Sequence, residues 1–177
     1  MTKRLFTIIA VMFLALASIS AQSLSGRWKA DDNFKKEYEM DPTWDLFVDV
    51  EEDCLAIIMS VKVKEDDISL TVYIMTEGTF QYEANAVNAQ IDPAKAQISI
   101  DDVETTDPEV KKRLEDPATR DAVLEFIKMA MTSQLDIKQV VEPLVEGFSH
   151  FTIKSLTQDA MTLQFVDDSE ASFIRVE

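Results

Sequence analysis

Apolar and polar residues alternate along much of this chain, and a two-residue period of this kind restricts it to a fold built mainly from β-strands. Every second residue is apolar in the runs 44–50, 55–63 and 68–74. Shorter runs follow at 80–82, 98–100, 151–153 and 161–165, and Phe173 and Arg175 mark the last one. Together with residues 24–30, these runs predict about eight strands. Because alternate side chains of a strand point to opposite faces, each predicted strand has one face to bury.

The period changes between residues 101 and 147. The run 106–109 combines a capping Thr, a Pro and a Glu three residues after the Thr, and Asp116-Pro117 repeats a helix-start signal. Apolar residues then recur at helical spacing, namely Val123, Ile127, Ala130, Met131 and Leu135. Pro143 and Gly147 are expected to end the segment. The pattern therefore predicts a helical insertion over about 107–146.

This order of elements favours a barrel. We expect a mainly β fold, an antiparallel up-and-down β-barrel of about eight strands, with the helical segment inserted before the last three strands. A closed barrel also removes the sheet edges that invite aggregation. The apolar stripe from Pro117 to Leu135 has to be buried, so this segment is expected to lie on the sheet or to cover one barrel end. Residues 22–177 are predicted to form one domain.

The first 21 residues have the pattern of a cleavable signal peptide. Lys3 and Arg4 precede an apolar stretch over 5–16, and small residues at 17–21 follow it. An uncleaved anchor is the alternative, but the apolar stretch is shorter than the roughly 20 residues of a membrane span. We expect a mature chain that begins near Gln22, has no membrane span and is periplasmic or secreted. No cysteine lies near the cleavage zone, so no lipid anchor is expected.

The charge of the chain restricts its partners. The sequence has 17 basic and 33 acidic residues, a net charge of −16. Loss of Lys3 and Arg4 leaves 15 basic residues against 33 acidic ones, or −18. Such a surface repels phosphate backbones and anionic headgroups, so nucleic acid and membrane surfaces are not expected as partners. An uncharged or cationic partner is favoured.

The residues that commonly carry catalysis are scarce. One cysteine and one histidine cannot form a disulfide or a His-based zinc site, so neither a metal nor a cofactor is predicted. Cys54 lies in an apolar run and is predicted to be a small core residue. Paired acids such as Asp66-Asp67 are sequence neighbours, which diverge on a strand and suit solvated turns. The sequence contains no nucleophile elbow or phosphate loop, so the protein is not expected to be an enzyme.

Both ends of the predicted barrel resemble a known family. Gly26-Arg27-Trp28 resembles the Gly-x-Trp start of the first strand in lipocalins and the wider calycin superfamily. The resemblance implies that Arg175, in the last strand, packs across Trp28 and closes one barrel end, so that Gly26, Trp28 and Arg175 form a structural seal. The stretches 151–157 and 161–165 are similar to the closing hairpins of bacterial secreted lipocalin-like domains.

The predicted function is non-catalytic binding of a small, mostly apolar ligand inside the barrel. Its interior is expected to include Leu46, Val48, Leu70, Val72 and Phe165. Because the seal blocks one end, the ligand should enter at the other. A barrel of eight strands is close to the size that side chains can fill completely. The alternative is therefore a solidly packed barrel that serves as a protein–protein interaction module of the cell envelope or secreted milieu.

Overall fold

The computed structural model of this protein describes residues 23–37 and 39–176, so the predicted signal peptide lies outside the described residues. The strands are β1 (Gly26–Ala30), β2 (Trp44–Glu51), β3 (Cys54–Glu65), β4 (Ile68–Glu83), β5 (Ala86–Ile91), β6 (Gln97–Thr105), β7 (His150–Leu156), β8 (Ala160–Phe165) and β9 (Glu170–Val176). The helices are α1 (Asp32–Glu37), α2 (Pro108–Leu114), α3 (Pro117–Gln134) and α4 (Ile137–Ser149), and a short 3₁₀ turn spans Pro93–Lys95.

Eight of these strands form a closed antiparallel barrel. The ring runs β1–β2–β3–β4–β5–β7–β8–β9 and returns to β1, where Trp28 pairs with Arg175. Three helices, α2 to α4, separate β6 from the last three strands. The predicted fold class, a mainly β barrel with a helical insertion before its last three strands, is therefore confirmed.

The remaining strand, β6, extends the line of β5. Both lie along the same edge of the 16-residue strand β4: β6 pairs with positions 68–75 of β4, and β5 pairs with positions 78–83. A Cβ at Gly78 would lie 2.0 Å from the carbonyl oxygen of Gln90 on β5. Only glycine permits this approach of the two backbones, at the point where β4 changes partner.

The residues that are apolar at every second position in the sequence are the ones that the barrel buries. On β2, Leu46, Val48 and Val50 are buried while the residues between them are partly exposed. Each barrel strand contributes buried residues of this kind to the core. Twelve side chains have less than 2% exposure: Trp28, Phe148, Phe173, Leu46, Leu55, Ile57, Met161, Leu163, Val48, Val72, Val87 and Val141. Burial of this apolar surface stabilises the barrel.

Aspartate side chains begin the helices of the insertion. Asp107, Asp116 and Asp136 accept hydrogen bonds from backbone N–H groups of the first turns of α2, α3 and α4. Each carboxylate therefore satisfies a donor that has no partner within its helix. Among the described residues, no helix has both the length and the apolar character needed to cross a membrane.

The insertion departs from the sequence-based expectation at its C-terminal end. Pro143 and Gly147 were expected to end it, but both lie within α4, which continues to Ser149. Proline removes a hydrogen bond within the helix, but Pro143 and Gln139, whose carbonyl is the one freed, are both exposed. Burial of Val141, Val145 and Phe148 along the inner face of α4 outweighs this loss.

Candidate functional site

One end of the barrel is closed by Trp28 and Arg175. The guanidinium carbon of Arg175 lies 4.2 Å from the centroid of the Trp28 ring, within the range of a cation–π contact. The indole Nε1 of Trp28, which is fully buried, donates to the carbonyl oxygen of Leu24 at 2.8 Å. The indole thus fills the barrel end while its polar group is satisfied.

Arg175 also connects this end to the chain segments around it. Its Nε donates to the carbonyl oxygen of Gln158 at 2.7 Å, its Nη1 to that of Ser25 at 2.7 Å and its Nη2 to that of Ser23 at 2.8 Å. A Cβ at Gly26 would lie 2.6 Å from Nη1, and Gly26 has a φ of +133°. Glycine at position 26 therefore provides both the backbone conformation and the space that Arg175 occupies.

The centre of the barrel is filled by its own side chains. Leu46 is 0% exposed, and Val48 and Val72 are each 1% exposed. A cavity large enough for water would leave part of the surrounding side chains exposed. Because these three side chains have almost no exposed surface, they do not border such a cavity. Leu70 and Phe165, the other two predicted ligand residues, are only partly buried against the core. Any space for a ligand beside these two residues lies towards the ends of the barrel.

An apolar groove of about 480 Å³ lies beside Phe165, and we call it the α4 groove. It is bounded by α1, the second half of α4 and the turn between β8 and β9. Its lining residues are Phe34, Pro143, Leu144, Glu146, Gly147, Phe148, Phe165, Val166, Asp167 and Ser169. The volume is within the range of small-molecule sites, which are typically about 300–1,000 Å³ and mostly apolar.

Phe148 forms the inner wall of the α4 groove. Its ring centroid lies 5.4 Å from that of Phe165, 5.9 Å from that of Phe151 and 6.1 Å from that of Phe173, each in an edge-to-face arrangement. Phe34, on α1, lies 5.7 Å from Phe173. The rings form a continuous aromatic layer across the barrel end, which fixes Phe148 and Phe165 in place.

The α4 groove lies at the end of the barrel away from Arg175. The turn between β7 and β8, at residues 157–159, contacts Arg175, whereas the turn between β8 and β9 borders the groove. These two turns are at opposite ends of β8. The main cover of the groove end is α4, whose Val141, Val145 and Phe148 are buried. Of the two positions expected for Pro117 to Leu135, on the sheet or over a barrel end, α3 takes the first, beside β6, and does not provide the main cover of this end.

Gly147 leaves part of the groove open. A Cβ built at this helical position has no atom within 4 Å. Since glycine weakens a helix relative to alanine, no packing requirement of α4 accounts for glycine here. Sequence reasoning missed this residue, along with Phe34, Leu144 and Phe148, because Gly147 had been interpreted only as a helix stop.

The rim of the groove is acidic. The hydroxyl and backbone N–H of Ser169 donate to the carboxylate of Asp167 at 2.6 Å and 3.1 Å, and these bonds lower the pKa of Asp167. Glu146 lies on the facing helix and is exposed. The Asp167 carboxylate is therefore ionised at neutral pH beside an apolar floor, an arrangement that disfavours anionic ligands.

The other candidate reactive groups lie elsewhere. Cys54 is only partly buried at the start of β3, a correction to the expected core position. Burial and the nearby Glu77, Asp53 and Glu51 carboxylates raise the pKa of its thiol, which reduces its nucleophilicity at neutral pH. His150 shares a hydrogen bond through Nδ1 with the side chain of Asn88.

A larger cleft, of about 760 Å³, lies between the β3–β4 turn and the start of the helical insertion. Lys64, Lys111 and Arg120 line it together with Asp66, Asp67, Glu104 and Glu115. Ile68, Val103 and Leu114 also line this cleft, but seven of its thirteen lining residues are charged, so it is more polar than the α4 groove. Within residues 23–37 and 39–176, no group of three His, Cys, Asp or Glu side chains is placed to hold a metal ion.

Comparison with models of known protein families gives no match, and comparison with curated proteins gives none either.

Proposed function

We propose that this protein is an exported, non-catalytic binding protein of lipocalin-like type that takes a small, mostly apolar ligand in the α4 groove. One observation carries the proposal: Phe34, Phe148 and Phe165 surround an open groove of about 480 Å³ at the barrel end that the Arg175 seal leaves free. Phe34 and Phe148 are already buried, so an apolar ligand gains affinity by removing its own surface and the exposed parts of Phe165, Val166 and Pro143 from water.

The lipocalin-like assignment rests on the other end of the barrel. The contact of Arg175 with Trp28, together with Gly26 beneath the guanidinium, is the arrangement that the family resemblance implies. Antiparallel closure around a buried first-strand Trp supports the same assignment. The ligand is expected to be uncharged or cationic, since Asp167 and Glu146 border the groove and the chain has a net charge of −16.

Export is proposed from the first 21 residues. Their basic, apolar and small-residue regions follow the order of a cleavable signal. The protein should be recovered from the periplasm or medium with its N-terminus within a residue or two of Gln22. Intact mass and N-terminal sequencing of the exported protein test this, and a chain that still begins at Met1 would contradict it.

The absence of catalysis is proposed from the environments of the candidate groups. The pKa of the Cys54 thiol is raised, and His150 is paired with Asn88 rather than with a nucleophile. The lining of the α4 groove contains no histidine, cysteine or lysine. Its two carboxylates, Asp167 and Glu146, lie at the rim, where they suit selection by charge better than proton transfer.

Binding can be tested by filling the groove from Gly147. A hydrophobic fluorescent probe should bind the unmodified protein saturably, with about one site per chain. Gly147→Leu places a side chain in open space, so it should preserve or raise stability while weakening probe binding at least tenfold. Glu142→Leu is the matched control, since it adds the same side chain to an exposed position of α4 that does not line the groove.

The two variants separate the possible outcomes. Equal probe binding by both variants would show that the probe binds outside the α4 groove and would refute the assignment of the site. If the unmodified protein binds no probe, the small-ligand proposal fails and the alternative, a protein–protein interaction module, takes its place. The filled barrel centre at Leu46, Val48 and Val72 is the observation that favours this alternative.

A further inference from the structure

Helix α3 is apolar on two opposite faces. Its inner face packs against the core through Leu124, Ile127 and Met131. On the outer face, Phe126 is 68% exposed and Met129 is 60% exposed. A helix that only covers a core needs one apolar stripe, with polar residues opposite it. The outer stripe therefore requires an explanation other than packing of this domain.

The outer stripe also has no charged residue. The helical positions opposite Leu124 are Ala118, Thr119, Ala122, Phe126, Met129, Ala130 and Ser133. In the whole chain, 28% of residues are charged, so about two charged residues are expected among these seven positions, and there are none. A contiguous exposed apolar surface of this kind marks an interaction site.

The stripe contains a projection and a hollow. The Phe126 ring projects into solvent, and an open hollow of about 450 Å³ lies beside it. Ala118, Thr119, Ala122 and Val123, one to two turns towards the N-terminus, form the rest of the hollow. Small side chains at these positions leave room for a large one, and one aromatic ring fits well within this volume.

We propose that the occupant of this hollow is the Phe126 ring of a second copy of the chain. In an antiparallel pair of α3 helices related by a two-fold axis near residue 124, each Phe126 faces Ala122 of the other copy. Both hollows are then filled by the same contact, as a closed two-fold interface requires. The small residues allow the helices to approach closely, so the rings are buried at the centre of the interface.

The charge of α3 favours this occupant. Arg120 and Lys128 balance Asp121 and Glu125, so α3 carries no net charge in a chain of −16. Two acidic copies repel each other overall, and a neutral helix adds nothing to that repulsion where the two copies meet. The uncharged stripe also offers no groups to recognise a strongly charged partner.

The size of the stripe sets the strength of the dimer. An α-helix of 18 residues is about 27 Å long, and one face of it buries less than the roughly 800 Å² per partner of a standard stable interface. We therefore expect a weak dimer whose population depends on concentration.

Sedimentation velocity tests this pairing in the purified protein from about 5 to 500 μM. The mean mass should rise from monomer towards dimer over this range. Phe126→Asp removes two rings from each dimer and should weaken association at least about 30-fold, since buried aromatic residues at interface centres dominate affinity. Val166→Asp is the matched control because Val166 is 75% exposed, lies in the β8–β9 turn and is not on α3.

The variants decide between the surfaces. Ala122→Glu fills the hollow and adds charge without altering Phe126, and it should also yield a monomer while the circular dichroism spectrum stays unchanged. A protein that remains monomeric at 500 μM overturns the proposal. A dimer that survives Phe126→Asp and Ala122→Glu overturns it as well, and loss of the dimer in Val166→Asp alone would assign the interface to the α4 groove.

Discussion

Replacing Arg175 by lysine tests whether the closed barrel end is held by the shape of the guanidinium or only by its positive charge. Arginine stacks on the indole of Trp28 and donates three hydrogen bonds, to the carbonyl oxygens of Gln158, Ser25 and Ser23. Lysine keeps the charge, but its single ammonium group cannot lie over the ring and reach all three carbonyls. Arg175→Lys should therefore lose stability even though the charge is conserved.

The expected loss follows from these contacts. Lysine retains about one of the three hydrogen bonds, and each lost bond costs about 1 kcal/mol, at the low end of values for charged donors because Arg175 is only partly buried. Loss of the cation–π contact adds about 0.5–1 kcal/mol. The total is about 2–3 kcal/mol, which corresponds to a fall in Tm of about 5–10 °C for a domain of this size.

Urea unfolding followed by circular dichroism measures this loss, with Arg27→Lys as the control. Arg27 is on the same first strand, pairs with Asp49 at 2.6 Å and lies 5.9 Å from the Phe47 ring, but its side chain is half exposed. Exposed pairs contribute little, so Arg27→Lys should cost less than about 1 kcal/mol. Equal losses in the two variants, or a loss below about 0.5 kcal/mol for Arg175→Lys, would refute the role assigned to the guanidinium.

Three further predictions concern the core, a close backbone contact and pH. Val72→Trp should lower the free energy of unfolding by about 1–3 kcal/mol in urea titration, because Val72 borders a filled interior. An unchanged midpoint would show that the interior has room for the larger side chain. Gly78→Ala should lower the Tm, since its Cβ would meet the Gln90 carbonyl oxygen at 2.0 Å, and a tolerated alanine would contradict that contact. Burial raises the pKa of the Asp45 carboxyl, but hydrogen bonds from Lys35 and Lys29 outweigh it, so the pKa is lowered overall. The stability that Asp45 contributes is therefore fully present above the carboxyl's unfolded pKa of about 4 and is lost as pH falls through its folded pKa. Urea titrations at several pH values should show a steeper acid loss in the unmodified protein than in Asp45→Asn, and equal slopes would contradict this.

The fold was predictable because burial in a barrel follows the two-residue period directly. Leu46, Val48 and Val50 alternate in sequence and alternate in burial on β2. The helix starts were also local, since Asp107 and Asp116 each form their cap within three residues, although the cap of α2 is Asp107 and not the expected Thr106. Strand alternation and helix starts depend on residues close together in the sequence, so they could be predicted without the structure.

The site was less predictable because it depends on contacts between distant segments. Pro143 and Gly147 favour a helix end locally, and only burial of Phe148 among aromatic rings from β7, β8 and β9 keeps α4 intact beyond them. Phe34 joins the groove through a short helix for which the sequence pattern gave no signal. Phe165, the one predicted ligand residue that lines the groove, was expected for its strand position and not for this neighbourhood.

Whether the barrel holds a ligand at its centre could not be decided from the sequence, because eight strands can enclose either a small cavity or packed side chains. The burial of Leu46, Val48 and Val72 shows that side chains fill this centre. With Trp28 at one end and Phe148 at the other, the proposed α4-groove site lies outside the aromatic layer, against α1, α4 and the β8–β9 turn. These three elements are far apart in sequence, so a ligand that contacts all of them would bind only the folded chain. Its binding should therefore raise the Tm by mass action, in an amount that depends on ligand concentration and that Gly147→Leu abolishes.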